Sequence, residues 1–184
     1  MIAVVLCVQG GRLDASLRRV ARHDGEELDA ALTRAADVDA LAYVEQLDTR
    51  LLADGALATS YLGLGTTLPA SDMTGPDAGD LVRAARARLR AKLSYTNVGF
   101  ALAPETFTIS ELRDIYVAAL GYDVSATNLQ RVLVRRGVLE RVEGRRAPGR
   151  SGGRPAALFR FTSRQFEITD EFAALRPPGS RASG

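Results

Sequence analysis

Residues 107–161 admit few folds. FTISEL opens the stretch, and Thr108 and Glu111 stand three apart as a capping box. In that arrangement the threonine hydroxyl accepts the Glu111 amide, while the Glu111 carboxylate accepts the Thr108 amide. Phe107 and Leu112 occupy the flanking staple positions. Leu112, Ile115, Tyr116, Ala119 and Leu120 then recur at three and four residues, which predicts a helix of about three turns ended by Gly121 in the left-handed region. After GYDV, Ser125 is placed to cap a second helix with Leu129, Val132 and Leu133 on one side, and Gly137 ends it. Two short helices joined by a tight turn make a helix-turn-helix.

At about 100 degrees per residue, Thr127, Gln130, Arg131, Val134 and Arg135 point away from the apolar stripe of the second helix, with Asn128 on its flank. Arginine can bond guanine bidentately, glutamine and asparagine can do so to adenine, and Val134 can touch a thymine methyl. Val138, Leu139 and Val142 predict a strand, and residues 157–161 predict its return. Between them, GRRAPGRSGGRP is too rich in glycine and arginine to pack, so a basic hairpin tip carrying Arg145, Arg146, Arg150 and Arg154 is expected. The whole reads as a winged helix-turn-helix.

Charge is distributed accordingly. Residues 125–164 hold ten arginines against Glu140 and Glu143, a net of +8, whereas residues 1–80 hold six arginines against thirteen acids, a net of −7. The overall formal charge of +2 conceals this dipole. A local surplus of that size attracts a polyanion in a salt-dependent way. The bland alternative is that arginine merely solvates a surface, but the arginines cluster on the helix, loop and hairpin suited to reading DNA.

The chain of 184 residues, 46 % hydrophobic, is long enough for two small domains. IAVVLCV at residues 2–8 is short, apolar and β-branched, and predicts a buried strand. QGGR is a turn, and residues 13–20 form another strand or a short helix. Asp24, Glu26 and Glu27 precede the helical stripe Leu28, Ala31, Leu32, Ala35 and Ala36. Residues 42–47 and 58–64 predict two strands joined through Asp54-Gly55, a hairpin signal. Residues 65–80 lack periodicity and form a boundary. Leu81, Ala85, Leu89 and Leu93 then predict a connecting helix, and the final PPGSRASG is expected to be disordered.

Several chemistries find no support in the residues. The single cysteine, Cys7, excludes an internal disulfide and fits a reducing compartment. The first apolar run lacks the basic flank of a signal peptide, and no segment reaches transmembrane length, so a cytoplasmic protein without membrane contact is expected. His23 and Cys7 supply too few ligands for a catalytic metal. The glycine pairs match neither a dinucleotide fingerprint nor a phosphate loop. No enzyme activity and no required cofactor are expected.

KLSYTNVGFALAPETFTISELRDIY, LGYDVSATNLQRVLVRRGVLE and GRPAALFRF together resemble the C-terminal domain of the NrtR family, the Nudix-related transcriptional regulators of NAD metabolism. YVEQLDT and SYLGLG resemble strands of that family's N-terminal half. The resemblance implies an α+β chain: a shortened, degenerate Nudix-like dimerisation and sensor domain at 1–66, a linker and connecting helix at 67–94, a winged helix-turn-helix at 95–175 and a disordered tail at 176–184. It implies a homodimeric repressor on palindromic double-stranded DNA, acting on NAD-metabolism genes. The helix containing Thr127, Asn128, Gln130, Arg131 and Arg135 would read bases, and the region around Arg154 would lie in the wing. ADP-ribose or NAD would be the effector. DGEELDAALTRAADVDA, the only match to the Nudix helix, has alanines where metal-binding acids belong, which predicts weak or absent binding of ADP-ribose with magnesium. Two other readings stand beside this one: an ADP-ribose-type Nudix hydrolase, which needs an acidic magnesium cluster, and a winged protein-assembly module, which needs an apolar outer face on the second helix.

Overall fold

The computed structural model describes residues 1–20, 23–27, 30–31, 34, 41–146 and 155–170. Strand β1 (Ile2–Gln9) lies inside a four-stranded sheet, antiparallel to β2 (Arg12–Arg19) on one side and parallel to β4 (Leu57–Leu64) on the other, with β3 (Tyr43–Leu51) beyond β4 at the edge. Its apolar residues run without alternation because both of its faces are covered. Ile2, Val4 and Leu6 enter the main core, while Ala3 packs with Val20 and Ala31 on the other side. The turn from β1 to β2 places Gly10 and Gly11 at φ 54° and 76°, the pair of positive angles that a tight hairpin of this hand requires. That turn settles residues 13–20 as strand. Strand β3 (Tyr43–Leu51) pairs antiparallel with β4 around Asp54 and Gly55, as the hairpin signal predicts.

The expected boundary contains more structure than its composition suggests. Residues 65–75 hold no helix or strand, yet Met73 is buried and Asp72 donates its amide to the Leu17 carbonyl at 2.9 Å. Helix α1 (Pro76–Leu93) starts behind Gly75 with proline at its first position, where the missing amide costs nothing. Leu81, Ala85, Leu89 and Leu93 are all buried, in a core that continues from the sheet into the C-terminal half.

Val98–Ala101 forms a buried 3-10 turn leading to Phe107. Helix α2 (Ile109–Leu120) carries both hydrogen bonds of the capping box, from the Thr108 amide to Glu111 at 2.7 Å and from the Glu111 amide to Thr108 at 3.2 Å. Gly121 ends it at φ 78°. The turn is fixed by Arg113, which donates to the Val124 carbonyl at 3.1 Å and to Asp123 at 2.5 Å. Helix α3 (Ala126–Arg135) follows, with the Ser125 hydroxyl accepting the Asn128 amide.

Strands β5 (Leu139–Arg146) and β6 (Ala156–Phe161) complete the wing. Contrary to the expectation of an unpacked loop from Gly144 onward, Arg145 and Arg146 continue β5 opposite Ala157 and Ala156. The small alanines supply ladder partners, and Gly144, at φ 100°, absorbs the irregularity between Val142 and Arg145.

Residues 163–170 return from the wing as a strap across the junction of the two halves. Buried Asn97 donates its side-chain amide to the Gln165 carbonyl at 2.8 Å and accepts the Glu167 amide at 2.9 Å. Phe166 stacks on Tyr43 of β3 at 5.1 Å, and the Lys92 ammonium lies 4.7 Å from the Phe166 ring centre. Burial opposes the Lys92 charge, but hydrogen bonds to Tyr43 and Glu45, with Glu45 at 2.9 Å, hold its pKa above the ordinary value.

Candidate nucleic-acid interface

Helix α3 turns Leu129 and Leu133 inward, leaving the opposite face to solvent. Thr127, Asn128, Arg131 and Arg135 are exposed, and Gln130 is partly so. Val134 is 48 % exposed on the same face. The structure thus brings all five helix residues of the sequence reading to the outer side of one element. Arg131 donates to the Asn128 side-chain oxygen at 2.8 Å, so the two present a joined pair of hydrogen-bonding groups. No carboxylate ion-pairs with Arg131 or Arg135 among the described residues, which leaves both charges available to an anion.

The wing residues divide. Arg145 is exposed on β5. Arg146 is exposed as well but donates to Glu111 at 2.8 Å, tying the wing to the first turn of α2. Arg150 and Arg154 lie outside the described residues. Arg141 joins Arg145 in lining a groove along β5 and was absent from the site read in sequence. The signal that could have found it is an arginine set between Leu139 and Val142 in the predicted strand; in the structure it is exposed and pairs with Phe159 across the ladder.

Not all of the basic surplus is free. Arg136 donates to the Ser94 carbonyl at 2.5 Å, and Arg164 donates to the Phe100 carbonyl at 3.0 Å. Arg160 pairs with Glu140 at 2.5 Å. These three hold elements together, so the net charge of residues 125–164 overstates the charge on the reading surface.

The N-terminal half offers less. Most of the acidic segment that would match a Nudix helix lies outside the described residues. Glu26 is engaged by Arg34 through two hydrogen bonds of 2.9 Å, which, with the His23 amide, hold its carboxyl at about 2. Among the described residues no three side chains of His, Cys, Asp and Glu gather to hold a metal, and no helix is long and apolar enough to cross a membrane.

Residues 99–161 match the family model of the NrtR DNA-binding winged helix domain. The chain is 34 % identical over 92 residues to the ADPR responsive transcriptional repressor NtrR of Acinetobacter baylyi, a match covering 50 % of this chain and 36 % of that protein. It therefore spans about a third of the curated relative's length. Shewanella oneidensis NrtR complexed with a 27mer DNA superposes with a TM-score of 0.66 at 23 % identity, covering 87 % of this chain and 91 % of that one. A MutT/nudix family protein from Enterococcus faecalis superposes with a TM-score of 0.62 at 16 % identity, covering 88 % and 86 %. The fold is α+β, a Nudix-like mixed sheet followed by a winged helix domain.

Proposed function

Because residues 99–161 make up a winged helix domain of the NrtR family, we propose that this chain is a sequence-specific DNA-binding transcriptional regulator, a homodimeric repressor of genes of NAD metabolism. The observation that carries the reading is the outer face of α3, largely polar and cationic and, among the described residues, without a carboxylate paired to Arg131 or Arg135, on a domain of that family. Thr127, Asn128, Gln130, Arg131 and Arg135 read base edges in the major groove, while Arg145, Arg146, Arg150 and Arg154 of the wing hold phosphate or the minor groove. The division into 1–66, 67–94, 95–175 and 176–184 gives the acidic half the work of assembly and the basic half the contact with DNA.

Binding to duplex should fall steeply with salt, and neutralising Arg145, Arg150 and Arg154 should flatten that slope by roughly one unit for each residue on a phosphate. A slope that stays the same after all three changes removes the wing from the interface. Palindromic sites need two reading helices related by a two-fold axis. Leu51 and Leu57, 68 % and 75 % exposed at the β3–β4 turn, support a partner surface in the first half. Sedimentation at micromolar concentration should return twice the chain mass of 19.7 kDa, and a monomer with full operator affinity contradicts the dimer.

ADP-ribose or NAD is the effector class the family suggests, and the relative from Acinetobacter is named as ADPR responsive. An effector must bind the DNA-competent and incompetent states unequally. With Glu26 already committed to Arg34, ADP-ribose with magnesium should bind weakly. Calorimetric titration with operator occupancy as a second readout decides: saturation in the low micromolar range with about a tenfold change in operator affinity would restore a full nucleotide-sensing role.

A further inference from the structure

We propose that Arg113 is a positioning residue for base reading, which sets the orientation of α3 by holding the main-chain carbonyl just ahead of its cap. The proposal rests on the assignment of α3 to the major groove. Arg113 stands on α2, and each nitrogen of its guanidinium is engaged. Nε donates to the Val124 carbonyl at 3.1 Å, while the terminal nitrogens donate to Asp114 at 2.9 Å and to Asp123 at 2.5 Å. Two carboxylates thus answer its charge within the turn, whereas among the described residues none pairs with Arg131 or Arg135. That separates Arg113 from the side chains offered to DNA. Both carboxylates are exposed, so the ion pairs add little stability. What the cluster fixes is direction.

Val124 immediately precedes Ser125, whose hydroxyl caps α3 and whose carbonyl accepts the Leu129 amide at 2.9 Å. The Val124 carbonyl lies outside the helical ladder, and Arg113 is the donor that meets it. Holding that peptide plane fixes the direction in which α3 leaves the turn. Leu129 and Leu133 bury the inner side of the helix, but apolar burial has no direction, while a hydrogen bond weakens steeply as it is bent.

The far end of α3 has its own anchor, since Arg136 donates to the Ser94 carbonyl at 2.5 Å. Removing the Arg113 donors therefore releases the near end, and the helix swings about the far one. At a rise of about 1.5 Å per residue, Asn128 lies about 12 Å from Arg136, and a swing of about 10 degrees carries it about 2 Å. A bidentate pair with a base edge does not survive that displacement. Asn128 and Arg131, joined at 2.8 Å, take more of the movement, and Arg135, beside the anchor, takes least.

The intact chain is tested on a duplex that the unaltered protein selects from a random pool, against a scrambled duplex of the same composition. Arg113→Met removes the donors at similar length, and Arg113→Lys keeps the charge with a methylene in place of Nε. Both should bind the selected duplex about tenfold more weakly and the scrambled duplex as before, with the same salt slope and little change in melting temperature. Added to Arg135→Ala, Arg113→Met should cost its full factor of about ten; added to Arg131→Ala it should cost clearly less, because the side chain it places is gone. A role in stability alone would subtract equally from both. Equal losses in the two backgrounds, equal losses on the two duplexes, or retention of both affinities by Arg113→Lys would each overturn the proposal. If the pool yields no preferred duplex, the base-reading assignment fails and this proposal with it. If Arg113→Met keeps the full preference for a selected duplex, the positioning role fails alone.

Discussion

Replacing Phe107 with alanine is expected to destabilise the protein by about 3–5 kcal/mol, the range for emptying a well-packed phenylalanine site. Phe107 is fully buried and sits one residue before the cap of α2, against Leu112, which is equally buried. Its backbone exchanges two hydrogen bonds with Phe159 of β6, at 2.9 and 2.8 Å, and its ring lies 5.5 Å from that of Phe161. One side chain thus fixes the angle at which α2 enters the domain and the seat of the wing strand. Phe107→Leu keeps most of the volume and should cost less than about 1.5 kcal/mol. Chemical denaturation of both variants checks this, and a loss below about 1 kcal/mol for the alanine would show that the domain closes over the gap.

Replacing Arg131 or Arg135 with alanine should weaken binding to the operator by about 1–3 kcal/mol each, with much smaller losses on random duplex. Both side chains are exposed on α3, so neither change should unfold the domain. The Arg131 loss should carry part of Asn128 with it, because removing the guanidinium frees the Asn128 amide that it holds at 2.8 Å. Neighbours in one network do not contribute additively, so Asn128→Ala combined with Arg131→Ala should lose less than the two separate losses together. Gel-shift competition between operator and scrambled duplex is the readout. Equal losses on both would move the arginine from base to phosphate contact.

The parts of the fold that sequence discloses are those written in neighbouring residues. The Thr108–Glu111 box, Gly121, Ser125 and the Asp54–Gly55 turn each need only local geometry, and each stands where its chemistry requires. The outer face of α3 is legible for the same reason, since periodicity alone separates Leu129 and Leu133 from Arg131 and Arg135. What depends on distant partners is not. The parallel pairing of β1 with β4 joins residues nearly sixty apart, with Ile2 opposite Ser60, and nothing in either strand names the other. Gln165, Phe166 and Glu167 carry no local signal of a partner, but Asn97 and Tyr43 turn them into a strap. Arg136 and Arg164 count toward a basic patch in sequence and serve internal carbonyls in the fold. Arg145 and Arg146 look like loop residues until Ala157 and Ala156 provide a ladder.

The most direct measurement is a crystal structure of the protein on the palindromic operator proposed for it. The account predicts two copies of α3, one per chain, in successive major grooves about 34–36 Å apart or a multiple of that spacing, with Arg131 or Arg135 bidentate to guanine. Helices α3 turned away from the duplex, or a complex held through the acidic sheet of the first half, would contradict it.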